Sequence, residues 1–158
     1  MYLSIHHNAG INGGSGGGIV AYVAPSHQKQ SEVVRDAVYR YTVAATGLRG
    51  NRAQPLAEQS LYVLNYTTMP ATLIELGFMD STTDTPIILT ERFADEAAAG
   101  LAAALVDGLP LRIEGGSYQL CDGKEEACGC GGCRKHLRAC SQKTLMEEEA
   151  HEDRSPIG

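Results

Sequence analysis

Cysteine is missing from the first 120 residues: all five Cys fall between Cys121 and Cys140. Most of the chain therefore folds without disulfides, and the thiols pose a separate question. Long apolar runs are missing too. None approaches the roughly 18 residues that a membrane span needs, which argues against a spanning segment. Basic residues are scarce, 13 Lys+Arg against 19 Asp+Glu, for a formal net charge of -6. Proteins that grip phosphate backbones need a basic surface to release counterions, so nucleic acid is a poor fit as a partner. The N-terminus carries no basic n-region and no signal-peptide pattern.

What is present is a chain 43% hydrophobic and 20% charged, too apolar for a disordered polypeptide. Its 158 residues support one globular domain plus an appendage. Of 18 Gly, six lie in Gly10 to Gly18 and six in Gly115 to Gly132, which marks two loops rather than a generally flexible chain.

The pattern predicts alternating strands and helices. Tyr2 to His6 reads as a buried strand, followed beyond the Gly-rich segment by a second strand, Ile19 to Val23. Ser26 is the expected N-cap of an amphipathic helix built on Val34, Ala37, Val38, Tyr41, Ala44 and Ala45 and closed by Gly47. A polar loop from Leu48 to Gln59 leads to Leu61-Tyr62-Val63-Leu64, of strand character, and then to the strand Ala71 to Phe78. Asp80 to Asp84 reads as a turn, and Thr90 caps a last helix with Phe93, Ala97, Leu101, Ala104 and Leu105 on one face. Such alternation predicts an α/β fold with a mixed, largely parallel sheet flanked by helices. From Glu114 onward large apolar residues thin out. Charge does not separate the two parts, since each carries a net -3, but hydrophobic content does. The expected division is residues 1–113, a folded domain, and 114–158, a flexible Cys-rich acidic tail.

Two places carry chemistry. Ser4-Ile5-His6-His7-Asn8 sets two imidazoles at a strand's C-terminal end, where open α/β sheets bind ligands. Neighbouring strand residues face opposite ways, so only one of His6 and His7 can serve a given ion; the alternative is a hydrogen-bonded strand-end histidine. His27 is expected to face solvent. Glu75, flanked by Leu73, Ile74, Leu76 and Phe78, would lose hydration and keep its proton more readily, as a general acid or base requires. Its structural alternative is a strand-mouth carboxylate paired with Arg49 or Arg52.

These residues converge on a family. Ser4-Ile5-His6-His7-Asn8-Ala9, Arg49-Gly50-Asn51-Arg52, Leu61-Tyr62-Val63-Leu64 and Met69-Pro70-Ala71-Thr72-Leu73-Ile74-Glu75-Leu76-Gly77-Phe78, in that order, resemble the zinc-dependent N-acetylmuramoyl-L-alanine amidases of the Amidase_3 type. The resemblance implies a peptidoglycan hydrolase that cuts the amide between N-acetylmuramic acid and the L-alanine of the stem peptide, in the cell wall or outside the cell. It implies a zinc ligand at His6, a variable position at His7 and the catalytic carboxylate at Glu75. Asn8 would orient substrate or backbone near the metal, or make a local turn hydrogen bond.

Family members also carry an upstream segment that supplies a second zinc-binding His and a zinc-binding Glu, which this sequence lacks. The expectation is a C-terminal portion of the catalytic domain, without the family's N-terminal strands and helices, with impaired activity and an exposed sheet edge prone to self-association. The competing class is a non-catalytic wall-binding or metal-binding interaction module. Cys121, Cys128, Cys130, Cys133 and Cys140, with His136 among them, form the pattern C-x6-C-x-C-x2-C-x6-C. Cys128, Cys130, Cys133 and Cys140 are candidate soft-metal ligands, and the alternative is a thiol-rich extension without structure.

Overall fold

The computed structural model describes residues 1–109 and, in addition, two short strands at 111–114 and 117–120. The elements are β1 (Tyr2–Asn8), β2 (Ile19–Val23), α1 (Lys29–Thr46), β3 (Leu56–Glu58), α2 (Tyr62–Asn65), β4 (Ala71–Phe78), α3 (Thr85–Ile88), α4 (Glu91–Val106), β5 (Leu111–Glu114) and β6 (Ser117–Leu120).

Seven of the eight residues of β4 are buried, Glu75 being the exception, as befits a strand covered on both faces. The sheet order is β1-β4-β2-β3. β1 runs parallel to β4 and β3 parallel to β2, while β2 and β4 are antiparallel. The sheet is therefore mixed and mostly parallel, as the alternation of elements predicts. On one face α1 packs across β2 and β4 and along α4. Ile19, Ala21, Val23, Thr72 and Ile74 are almost fully buried there. On the other face Ala71 and Leu73 form an apolar cluster with Ala24 and Leu64, flanked by Tyr22 and Leu61.

The helices follow from their periodicity. α1 buries Ser31, Val34, Ala37, Val38 and Thr42, one stripe at three- and four-residue spacing, and ends at a left-handed Gly47. Ala44 and Ala45 are exposed; the buried stripe turns to Thr42 because α4 approaches there. A methyl on Gly100 of α4 would sit 2.9 Å from the Thr42 Cα, so the lack of a side chain sets the spacing of the two helices. Thr90 Oγ1 accepts the Phe93 N–H at 3.1 Å, the expected cap of α4.

Four expectations change. The run Leu61 to Leu64 is not a strand: Tyr62–Asn65 is a short helix that lays Leu64 on Ala71 and Leu73. A short apolar run looks alike as strand or helix, and here packing decides. The strand in this region is β3, inside the segment predicted as loop, paired with β2 through Leu56 and Ala57. Ser26 caps nothing; Gln28 is the N-cap residue of α1, without a side-chain cap. β1 is not a buried strand, because it has a neighbour in this sheet only on its β4 side, and Ile5 is 52% exposed.

Leu109 ends one compact unit of the chain. Beyond it β5 and β6 form an antiparallel pair, Leu111 opposite Leu120 and Glu114 opposite Ser117. Cys121, Cys128, Cys130, Cys133, His136 and Cys140 lie outside the described residues.

Candidate active site

Register brings the two singled-out residues together. His6 on β1 pairs with Glu75 on β4 in a parallel ladder, and paired residues share a face. Asn8 then pairs with Phe78, so β4 uses three steps where β1 uses two. That bulge is made by Gly77, whose φ of 91° is the left-handed backbone that glycine tolerates. Its effect is to carry Phe78 to the face that holds His6, Asn8 and Glu75. Gly77 itself backs onto Ile88, Leu48 and Asp84.

The Gly-rich segment beside this face is held almost residue by residue by Asp80 to Asp84. Asp80 Oδ2 accepts the N–H groups of Gly10 at 2.9 Å and Asn12 at 2.7 Å. The Gly14, Ser15 and Gly16 carbonyls accept from Thr82, Thr83 and Ser81. The buried Asp84 closes the set, its Oδ2 accepting from Gly18 at 2.7 Å and from Phe78 at 3.0 Å. A segment with six glycines is thus fixed by one short turn. The loop Arg49-Gly50-Asn51-Arg52 crosses it where Gly18 meets Gly50. Asn51 beyond that crossing accepts the Gly17 N–H at 3.2 Å, and the Arg52 guanidinium lies over the Phe78 ring, 4.9 Å from its centroid.

Electrostatics single out Glu75. Burial raises its carboxyl above the usual carboxylate range, and the nearby His6 pulls it partly back. Its Oε2 is buried and has no hydrogen-bond partner among the described residues. Neither Arg49 nor Arg52 pairs with it, so the structural alternative is not how this carboxylate sits. Ser4 Oγ lies 2.8 Å from His6 Nε2 and orients the imidazole. Burial likewise pushes the Tyr22 phenol up; Arg52 opposes that, Glu75 adds to it, and the Asn8 side chain reaches the same hydroxyl. Asn8 Oδ1 also accepts the Ala9 N–H at 2.8 Å, the local bond expected of a turn residue.

His7 points away from His6 and is exposed. His27 does not face solvent: its side chain is 14% exposed, its Nδ1 donates to the Ala24 carbonyl, and its Nε2 lies 3.1 Å from Glu32. The sequence does not distinguish Tyr22 or Asp84: Tyr22 reads as one apolar position of a strand, and Asp84 as one polar residue of a turn.

The face offers a metal one imidazole and one carboxylate with an unengaged oxygen. A catalytic zinc ordinarily takes three protein ligands. Among the described residues no cluster of three His, Cys, Asp or Glu could hold a metal ion, so these residues alone do not complete a zinc site.

The family model for N-acetylmuramoyl-L-alanine amidase, Amidase_3, matches residues 1–107. The chain belongs to that family. Amidase CwlM of Bacillus licheniformis is 33% identical over 110 residues, 70% of this chain and 41% of CwlM. The crystal structure of the N-acetylmuramoyl-L-alanine amidase from Clostridium difficile 630 matches with a TM-score of 0.59 at 27% identity, covering 66% of this chain and 54% of that one. A UPF0251 protein of Desulfitobacterium hafniense is 52% identical over 55 residues, 34% of this chain and 43% of that protein. The chain thus spans about two-fifths of the length of the curated relatives it matches. Amidases of this family are hydrolases, and the mixed α/β sheet that pairs His6 with Glu75 is their fold.

Proposed function

We propose that this chain carries the Glu75 side of a peptidoglycan amidase centre, which cleaves the amide between N-acetylmuramic acid and the L-alanine of the stem peptide. The observation that carries the reading is the in-register pair His6 and Glu75, with a buried Glu75 oxygen left unengaged. A carboxyl raised toward neutrality suits proton transfer in both directions. Glu75 takes a proton from the attacking water and returns it to the departing alanine nitrogen. His6, aligned by Ser4, supplies one metal ligand, and Asn8 orients substrate beside it. Bound zinc supplies Lewis-acid chemistry in such hydrolases, and here it needs donors beyond the described residues. The described residues by themselves therefore hold zinc weakly and turn over slowly.

The place of action is the cell wall or outside the cell, as for wall-lytic relatives. Among the described residues no helix is long and apolar enough to cross a membrane. The open edge of β1 exposes backbone groups that pair with a second copy.

The decisive measurement is the appearance of new N-terminal L-alanine amines from purified peptidoglycan, with zinc added. The expected result is slow, zinc-dependent release that Glu75→Gln and His6→Ala abolish. Release at an undiminished rate by Glu75→Gln would defeat the assignment. Wall retention with no amine released by any form would favour a non-catalytic wall-binding module.

A further inference from the structure

Arg52 is a cation without a carboxylate of its own. Arg35 and Arg92 are bridged to Asp36 and Glu96, whereas Arg52 makes no ion pair among the described residues. Its guanidinium is stacked on the Phe78 ring instead, at 4.9 Å. A cation held over a ring keeps its N–H donors available for a further partner. Two backbone devices put it there: the Gly18 and Gly50 crossing that places its loop, and the bulge at Gly77 that turns Phe78 to the face of His6 and Glu75. Tyr22, a hydroxyl donor on β2, lies within electrostatic reach of both Arg52 and Glu75.

We propose that Arg52 binds a carboxylate on the peptide portion of the substrate, so that this centre prefers N-acetylmuramoyl peptides bearing a free acid over those whose acid is amidated. The inference rests on the amidase reading above and adds a preference within it. A guanidinium matches a carboxylate with two parallel N–H donors, and charge-assisted bonds of this kind are about twice as strong as neutral ones. The aromatic backing keeps water from one face of the cation and fixes its plane, so little rotamer freedom is lost on binding. Lysine has neither the plane nor the fork and does not replace it.

The test is calorimetric binding of an N-acetylmuramoyl-L-alanyl peptide with a free terminal carboxylate, and of its carboxamide, to the full chain. The wild type should bind the acid about tenfold more tightly than the amide, a gap typical of one charge-assisted contact. Arg52→Gln should bind both with the affinity of the amide, and Arg52→Lys should recover only part of the difference. Because Arg52 is exposed, the melting transition should be the same in all three, which separates lost recognition from lost folding. A preference that persists in Arg52→Gln overturns the inference. Equal binding of acid and amide by the wild type overturns it while leaving the amidase reading in place. Binding of neither overturns both.

Discussion

Gly18 and Gly50 cross back to back, and a Cβ added to either would run into the backbone of the other. Both have positive φ, 94° and 70°. Gly50→Ala should therefore destabilise the fold by about 2–3 kcal/mol, as overpacking does. Gly47 is a useful control. It too is left-handed, but a methyl there meets nothing within 4 Å, and Gly47→Ala should cost about 1 kcal/mol. Urea denaturation of the two variants measures the difference, and equal losses would mean that the crossing is not close-packed.

Asp84 serves two strands at once. Its carboxylate takes the N–H groups of Gly18 and Phe78 in a buried place, and Asp84→Ala strands both donors. Each unmet buried donor costs about 1–3 kcal/mol, so a loss of about 2–6 kcal/mol is expected for the two. Hydrogen exchange at the Gly18 and Phe78 amides should accelerate in the same variant. An unchanged urea midpoint would show that the turn is held by other means.

Asp80 makes the Gly-rich segment sensitive to acid. The N–H of Asn12, foremost, and that of Gly10 hold its carboxyl below the ordinary value of 3.8. The folded state thus favours the ionised form. Its contribution is fully present above the ordinary value and fades as pH falls through the lowered one. Exchange protection at Gly10 and Asn12, followed by NMR on acidification, should fall in that window and not near neutrality. Asp80→Asn should flatten the dependence.

Glu75 has the opposite sign. Burial raises its carboxyl above 4.5, so the fold favours the protonated form, and stability declines as pH rises from the ordinary value through the raised one. In metal-free protein Glu75→Gln should melt higher than wild type at pH 7, with the difference vanishing at low pH. The same change should abolish amine release. Calorimetry across pH decides this; a lower melting point at pH 7 would mean that the carboxylate is satisfied after all.

In this sheet β1 has a neighbour only on its β4 side, and the other edge can be probed directly. Ile5 is 52% exposed and alternates away from His6, so it can be changed without touching the site. Sedimentation should show concentration-dependent association of the wild type that Ile5→Lys reduces, since a charge on an edge strand opposes edge pairing. Identical sedimentation of the two proteins would remove β1 from the contact.

Local patterns carried much of this structure. The stripe Val34, Ala37 and Val38 and the Thr90 cap are legible because helical spacing and capping chemistry act within a few residues. Glu75 stands out because a carboxylate in an apolar strand is costly wherever the strand lies. What was not legible depends on partners distant in the chain. Tyr62–Asn65 becomes helical because Leu64 packs on Ala71 and Leu73. The antiparallel entry of β2 beside β4 leaves no mark in either strand alone. Arg52 is legible within the Arg49-Gly50-Asn51-Arg52 motif and as a possible partner for Glu75, but its contact with Phe78 is not, because the bulge that gives it Phe78 needs β1 as its ruler.

The central position of β4 also sets an order of assembly. In this sheet β1 touches no strand but β4, and His6 meets a residue that is synthesised 69 positions later. During synthesis β1 cannot form its ladder with β4 until Ala71–Phe78 has emerged. Closing so long a loop is slow compared with helix formation. The histidine and the glutamate are therefore brought together late in folding, and slow closure of β1 onto β4 is the interval in which a nascent chain is open to mispairing and to proteases.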